Sequence, residues 1–354
     1  MRGKLKCVDF FCGGGGMSQG LSDAGIKVLG ALDNDPDCRA TYEANHPGSV
    51  FIDEDVRKMS LEVLGKKLKI RKNMDDMIFV GCSPCQYWSI INGSADATRK
   101  SVSRKSRNLL KYFREFVKYY RPGFVMVENV RAIIRHEKDS GLESLKKLLK
   151  SEGYEMDDDV IAARDFGVPQ TRRRYVLLAS RVGDIKLPEK TGKTATVRQT
   201  IRKLPKIKAG KSSSDSDDAL HRAAALSETN IKRLQLTKEG GTRASWSRND
   251  KLLIDAYRGK PVNFFHENYG RMSWDKPAPT ITTRFYSISC GRFAHPQQNR
   301  AISLREGALL QTFPKKYKFK TKTYQATAKL IGNAVPPKLA EHLGKALVSA
   351  AKNG

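Results

Sequence analysis

No stretch of this 354-residue chain approaches the roughly 18 consecutive apolar residues of a membrane-spanning helix. The amino terminus, MRGKLKCVDFFCGGGG, starts basic, but its apolar run is short and breaks at four glycines. It reads as a first strand and turn, not as a secretory signal. Cysteine is scarce: Cys7, Cys12, Cys38, Cys82, Cys85 and Cys290. Without a signal peptide, that usage points to a reduced compartment and against a disulfide framework. Cys82-Ser83-Pro84-Cys85 lacks the second ligand pair that a zinc site needs, so no metal is expected. A thioredoxin-like redox pair is the more serious alternative for those two thiols. Acid is the third deficit, with 37 Asp and Glu against 65 Lys and Arg, a net +28. A small-molecule enzyme has no need of that self-repulsion, and a polyanionic partner relieves it. A merely soluble, highly charged surface is the bland reading of the same number.

What is present suffices for a folded protein. Hydrophobic residues at 39% and aromatics at 8% exclude a wholly disordered chain, and the length suggests about two domains. Strands alternate with helices through the first part. Leu5–Phe11, Val28–Leu32, Met77–Val80, Phe124–Val127 and Tyr175–Ala179 read as strands. Met17–Ala24, Ser106–Tyr120 and a segment marked by Leu142, Leu145, Leu148 and Leu149 read as helices. That alternation means an α/β fold with a parallel, doubly wound sheet. After residue 185 the pattern fails. Lys211–Asp218 is a polar low-complexity loop, and Gly, Pro, Thr and aromatic residues dominate 240–293. Helical spacing returns at Lys338–Ala351 through Leu339, Leu343 and Leu347.

Several chemical groups fall at strand ends, where open parallel sheets bind ligands. The run Gly13–Gly16 follows a strand and opens a helix, a geometry that lets backbone approach a nucleoside closely. Asp33 ends the second strand about 20 residues on, where a carboxylate accepts ribose hydroxyls. A glycine loop alone also fits a dehydrogenase or a tight turn. Cys85 follows the Met77–Val80 strand behind a rigid Pro84, and Glu128-Asn129 closes a buried one. Taken singly, such a cysteine is usually inert packing and such a glutamate usually solvated. Arg172 and Arg174 enter a strand two residues apart, so they are expected on one face.

Six motifs in order carry a resemblance. They are Asp9-Phe10-Phe11-Cys12-Gly13-Gly14-Gly15-Gly16, Pro84-Cys85-Gln86, Glu128-Asn129-Val130, Gln170-x-Arg172-x-Arg174, RAISLREGALLQTFP over Arg300–Pro314, and Gly332-Asn333-Ala334-Val335-Pro336-Pro337. The chain resembles the DNA (cytosine-5)-methyltransferases, and only about residues 186–268 lie outside the resemblance, where the family places its variable target-recognition region. The resemblance implies a Rossmann-like, S-adenosylmethionine-dependent sheet with a smaller irregular target-recognition domain. It implies a catalytic domain over 1–185 and 321–354, a recognition domain over 186–304 and a hinge over 305–320. Cys85 becomes the nucleophile at carbon 6 of a flipped-out cytosine. Glu128 bonds the ring nitrogen and exocyclic amine, and Arg172 and Arg174 steady the ring oxygen and the nucleophile's surroundings. Phe11, Gly13, Gly15, Asp33, Asn34, Asp55, Val56, Leu110, Asn333 and Val335 line the S-adenosylmethionine site, with S-adenosylhomocysteine as product. Asn34 departs from members that carry an adenine-packing aromatic there.

Toward duplex DNA, Gln86, Ser89, Arg99, Arg104, Lys105 and Gln170 are expected at the interface. The stretch Arg99–Arg121 holds nine Lys or Arg and one acid, Glu115, which elsewhere would mean a solvated helix face. An RNA-modifying branch of the family carries a Cys-Phe-Thr signature in the small domain, whereas Cys290 is followed here by Gly291. The remaining expectations are a cytoplasmic, nucleoid-associated monomer of bacterial or phage origin, paired with a restriction endonuclease or acting as an orphan modification enzyme. A dinucleotide oxidoreductase and a non-catalytic DNA-binding protein are the rival readings; the first leaves Pro84-Cys85-Gln86 idle and the second leaves Cys85, Glu128 and Arg174 idle.

Overall fold

The computed structural model describes residues 4–84, 108–213, 218–261 and 264–353. In chain order it runs β1 (Lys6–Phe10), α1 (Gly16–Asp23), β2 (Lys27–Asp33), α2 (Arg39–Asn45), β3 (Val50–Asp53), α3 (Leu61–Leu68) and β4 (Met77–Gly81). Then follow α4 (Leu109–Tyr120), β5 (Phe124–Val130), a 3-10 segment over Arg131–His136, α5 (Leu142–Ser151), β6 (Glu155–Ala162) and β7 (Arg173–Ser180). The remainder holds α6 (Val197–Ile201), α7 (Glu228–Leu236), α8 (Leu304–Leu310), α9 (Tyr324–Asn333) and α10 (Pro337–Asn353). Among the described residues no helix is long and apolar enough to cross a membrane.

One sheet of seven strands organises the molecule in the order β3-β2-β1-β4-β5-β7-β6. The strands β1 to β5 are mutually parallel. The expectation of an all-parallel sheet needs correction: β7 runs antiparallel to both β5 and β6. β6, EMDDDVIA, is absent from the sequence reading because its acids hide any apolar alternation. It can be polar because it lies at the sheet's edge, where charged side chains also discourage pairing with another chain. The reversal sets the amino-terminal end of β7 beside the carboxyl ends of the parallel strands.

Each face of the sheet carries its own core. Phe10, Phe79 and Val127 pack with Leu64 of α3, Phe113 of α4 and Leu145 of α5 on one side. Val28, Ile78 and Met126 pack with Met17 and Leu21 of α1 and with Leu339, Leu343 and Leu347 of α10 on the other. Pro337 opens α10, where its missing N–H is no loss. The apolar stripe expected over Lys338–Ala351 therefore lies across α1 and this face of the sheet.

The region after residue 190 has no sheet of its own among its described residues, only isolated bridges. Its loop carbonyls still need donors, and buried guanidinium groups supply them. Arg271 donates to the carbonyls of Thr237 (2.8 Å), Leu234 (2.6 Å), His295 (2.7 Å) and Gln298 (2.8 Å). Arg300 forms a two-pronged buried pair with Glu306 at 2.6 and 2.7 Å. A third apolar cluster joins Val197, Ile201 and Phe285 to Leu304, Ala308 and Phe313 and to Ala328 and Ile331. The stretch expected as a hinge thus carries part of that cluster. The Lys211–Asp218 loop falls partly outside the described residues.

Gly20 decides how closely α1 and α10 approach. A Cβ there would run into the Pro337 carbonyl and come within 2.5 Å of Ala340 Cβ. Helix propensity alone says that Gly20→Ala stabilises by about 1 kcal/mol. Overpacking against backbone costs about 1–3 kcal/mol and should reverse the sign. Urea denaturation of Gly20→Ala should show net destabilisation; a gain would mean that α10 is free to move off α1.

Candidate active site

The site is built along the carboxyl edge of the parallel strands. Strand β1 ends at Phe10, and Phe11 enters the left-handed region at φ 64° while its N–H still bonds the Leu32 carbonyl at 2.7 Å. The glycines that follow have separate tasks. Gly13, at φ 52°, has open space where a side chain would stand. A side chain on Gly15 would come within 2.6 Å of both His46 Nε2 and Tyr317 Oη. One on Gly14 would press Leu330, and one on Gly16 would strike the Val335 carbonyl. Three of the four glycines are therefore required by the chain's own carboxyl-terminal segment, and Gly13 alone leaves a cradle for a ligand.

Tyr317 fixes that junction. Its hydroxyl donates to the Gly14 carbonyl at 2.7 Å and lies 3.1 Å from His46 Nε2, all of it buried. His46 therefore donates through Nε2–H and is neutral. Neither residue is singled out by the sequence, because their role depends on a contact spanning 271 positions. Asp9, buried at the end of β1, accepts from Ser18 Oγ at 2.7 Å, and Ser18 in turn meets Tyr42 at 2.9 Å. Burial, opposed by the Ser18 hydrogen bond, leaves Asp9 raised to about 7.

Of the expected cofactor residues, Phe11, Gly13, Asp33, Asn34 and Asp55 lie at the ends of β1, β2 and β3. Asp33 accepts the Gly13 and Asp35 N–H groups, each at 2.9 Å, which ties the glycine loop to β2. Burial lifts its carboxyl, and those two bonds oppose the lift. Asp55 is gripped by the Arg57 guanidinium, which lowers its carboxyl, and Asn34 Nδ2 reaches it at 3.4 Å. Val56 and Leu110 are buried in the core beneath. Val335 is buried and Asn333 exposed where α9 gives way to α10.

A second constellation occupies the ends of β4, β5 and β7. Asn129 Nδ2 donates to the Ser83 carbonyl at 3.1 Å and to Ser83 Oγ at 3.2 Å, holding the chain two residues before Cys85. Glu128, only 6% exposed, pairs with Arg174 Nε at 3.1 Å. The register explains the pair: Glu128 sits opposite Val176 and Val130 opposite Arg174 across an antiparallel ladder. Cys85, Gln86, Ser89, Arg99, Arg104 and Lys105 lie outside the described residues.

Two expectations need correction here. Arg172 precedes β7 and does not share Arg174's surroundings. It is 3% exposed and donates to the carbonyls of Ile281 at 3.1 Å and Gly332 at 3.5 Å. Gln170, expected at DNA, is fully buried. It donates to the Leu310 carbonyl and to Gln311 Oε1, and accepts the Ile281 N–H. Both residues bolt the approach to β7 onto the irregular region. As for other thiols, burial and then the charge of Glu128 raise Cys82, and burial likewise raises Cys7, Cys12 and Cys38. None of these four is prepared as a thiolate.

Comparison with known proteins identifies the family. The family model for C-5 cytosine-specific DNA methylases matches residues 5–349. Type II methylase M.HgiDII of Herpetosiphon aurantiacus is 36% identical over 347 residues, covering 96% of this chain and 94% of that protein. Type II methyltransferase M1.HphI of Haemophilus parahaemolyticus is 31% identical, covering 97% and 87%. In fold, the chain is similar to a prophage-encoded E. coli protein described as a DNA modification methyltransferase, with TM-score 0.73, 22% identity and 99% of this chain covered.

The buried imidazole makes the glycine loop sensitive to acid. Burial pulls His46 down to about 4, against a contact with Gly15 that opposes it. Between the unfolded value near 6.5 and about 4, the unfolded chain takes up a proton that the folded one refuses. Stability from this group therefore falls as pH drops through that window, by roughly 3 kcal/mol in all. His46→Gln keeps a donor and abolishes the titration. Urea denaturation at pH 7 and near pH 4 should show wild type losing ground to His46→Gln on acidification; a pH-independent difference would mean that His46 titrates freely.

Proposed function

The chain belongs to the C-5 cytosine-specific DNA methylase family and is a DNA cytosine-5 methyltransferase, and from that premise we propose how its residues divide the reaction. The observation that carries the division is the Glu128–Arg174 pair at the carboxyl edge of β5, next to the Asn129–Ser83 tether that leads into Pro84-Cys85.

The family uses S-adenosylmethionine, which when bound supplies a methyl group on a sulfonium centre. The residues at the ends of β1 to β3 suit it chemically, with an open cradle at Gly13 and carboxylates at Asp33 and Asp55 for hydroxyl and amine donors, and we assign Phe11 to the same site. We assign Asn34, Val56, Leu110, Asn333 and Val335 to the same site, with Leu110 and Val56 acting from below as packing.

At the acceptor side, Cys85 as thiolate adds to carbon 6 of a cytosine turned out of the duplex, and the ring electrons pass to carbon 5. Glu128 accepts from the exocyclic amine and, as general acid, gives a proton to the ring nitrogen, which neutralises the negative charge that arises on the ring during addition. Arg174, which forms an ion pair with Glu128, holds that carboxylate in place and faces the ring oxygen. Arg172 serves by holding the start of β7 in place. Transfer of the methyl group to carbon 5, loss of the carbon 5 proton and elimination of Cys85 complete the cycle. Residues 1–185 and 321–354 are assigned to catalysis, and 186–304, with 305–320 leading back, to reading duplex DNA. A Type II restriction endonuclease is the fitting companion in a cytoplasmic setting.

The thiol assignment is tested by trapping. A duplex containing 5-fluorocytosine at the methylated position cannot lose its carbon 5 substituent, so enzyme and DNA should remain covalently joined on a denaturing gel. Cys85→Ser should abolish both the adduct and methylation. An adduct mapping to Cys82 by peptide mass would overturn the assignment. Glu128→Gln should lower kcat by about 10²–10⁴ while leaving S-adenosylmethionine affinity within twofold, measured by calorimetry; equal losses in both would make Glu128 a folding residue instead.

A further inference from the structure

We propose that Arg131, Arg135 and Arg173 together seat phosphates of the DNA backbone beside the acceptor corner, an inference that rests on the duplex-DNA reading above. The three arginines surround a depression of about 280 Å³, with Ala132, Ile134 and Val160 completing its wall. Arg131 and Arg135 stand in the 3-10 segment that continues β5 directly from Glu128, and Arg173 precedes Arg174 in β7. Side chains alternate across a strand, so Arg173 emerges on the face of the sheet opposite Glu128 and Arg174. The depression therefore shares the carboxyl edge with the acceptor corner. The strand order puts it on the far side of that corner from β1, β2 and β3.

Its charge is uncompensated by carboxylates among the described residues. Arg57, Arg121, Arg181, Arg198, Arg258 and Arg300 each face a carboxylate within 4 Å. Arg131, Arg135 and Arg173 take part in none of the ion pairs among the described residues. The neighbouring acid of β6 is engaged elsewhere, since Asp158 binds Lys146 and the Tyr175 hydroxyl, both at 2.9 Å. Three guanidinium groups around one depression repel each other, and an anion held between them relieves the repulsion. Their planar forks match phosphate oxygens in two-point fashion. Ile134, 44% exposed among these cations, offers an apolar surface of the kind a deoxyribose ring covers. A flipped base leaves its flanking backbone along the rim of its pocket, and this is the rim on the side away from the methyl donor.

The test compares two triple variants of the full chain, each losing three positive charges. One is R131Q/R135Q/R173Q. The other, K66Q/K67Q/R71Q, removes exposed cations from the opposite edge of the sheet, before β4. Binding to a fluorescent duplex is followed through a salt titration. The first variant should lower the slope of log affinity against log salt by about one for each arginine. It should also raise KM for DNA more than it lowers kcat, with S-adenosylmethionine affinity unchanged. The second should leave the slope close to that of wild type. R131K/R135K/R173K keeps the charge and should restore the slope, which separates phosphate contact from a folding defect. If wild type binds duplex with the steep salt dependence of its family and R131Q/R135Q/R173Q retains it, the arginine seat is overturned while the DNA reading stands. If wild type itself shows no salt-dependent binding to duplex DNA, the DNA reading fails first.

Discussion

The whole arrangement depends on a close approach between the glycine-rich turn with α1 and the carboxyl-terminal segment, backbone against backbone at Gly16 and Gly20 and backbone against side chains at Gly14 and Gly15. Gly14, Gly15, Gly16 and Gly20 each lie against a residue between 317 and 340. A glycine-rich turn is usually explained by the ligand it admits. Here most of the run is explained by the protein's own tail, and only Gly13 is left for something external. One steric constraint thus serves two ends. It brings Val335 and Asn333 to the loop, and it lets α10 cover the apolar face of the sheet that α1 leaves open. Tyr317 and His46 then fix the turn, so its shape is set by residues remote in sequence.

The second organising fact is the direction of β7. In a parallel strand, Arg174 would lie at the far edge of the sheet from Glu128. Running antiparallel, β7 delivers it to the same edge, and the register puts it one ladder step from the carboxylate. The irregular region is fastened to that delivery point by Gln170 and Arg172, whose buried bonds reach Ile281, Leu310 and Gly332. The start of β7 is thereby held by three segments remote in sequence, at Ile281, Leu310 and Gly332.

Much of this was legible in residues alone, for physical reasons that differ by element. Leu109, Leu110, Phe113, Phe116, Val117 and Tyr120 show a helical period because α4 buries a single face. Phe124–Val127 shows as a strand because it is buried on both. β6 was invisible because its stability comes from pairing along β7 and its exposed side chains carry no apolar signal. The strand-end placement of Glu128 could be read, since it follows a buried apolar run. Its partner could not, because a two-residue period cannot tell that β7 begins one position after Arg172. Gln170 misled for a related reason: a polar residue in a motif reads as a contact with the ligand, while burial gives it a structural post.

The acidic edge strand has a further consequence in a chain that is otherwise so positive. Glu155, Asp157, Asp158 and Asp159 lie where β6 pairs with Ser180 to Val176, whereas Ala162 pairs with Arg173. Along that one strand the side-chain charge changes, from acids toward the amino edge of the sheet to the arginine beside Ala162 at the carboxyl edge. Total charge brings a polyanion closer from any direction; a sign change along a fixed axis adds torque. The least apolar strand of the sheet thus holds acids at one end of its edge and an arginine neighbour at the other.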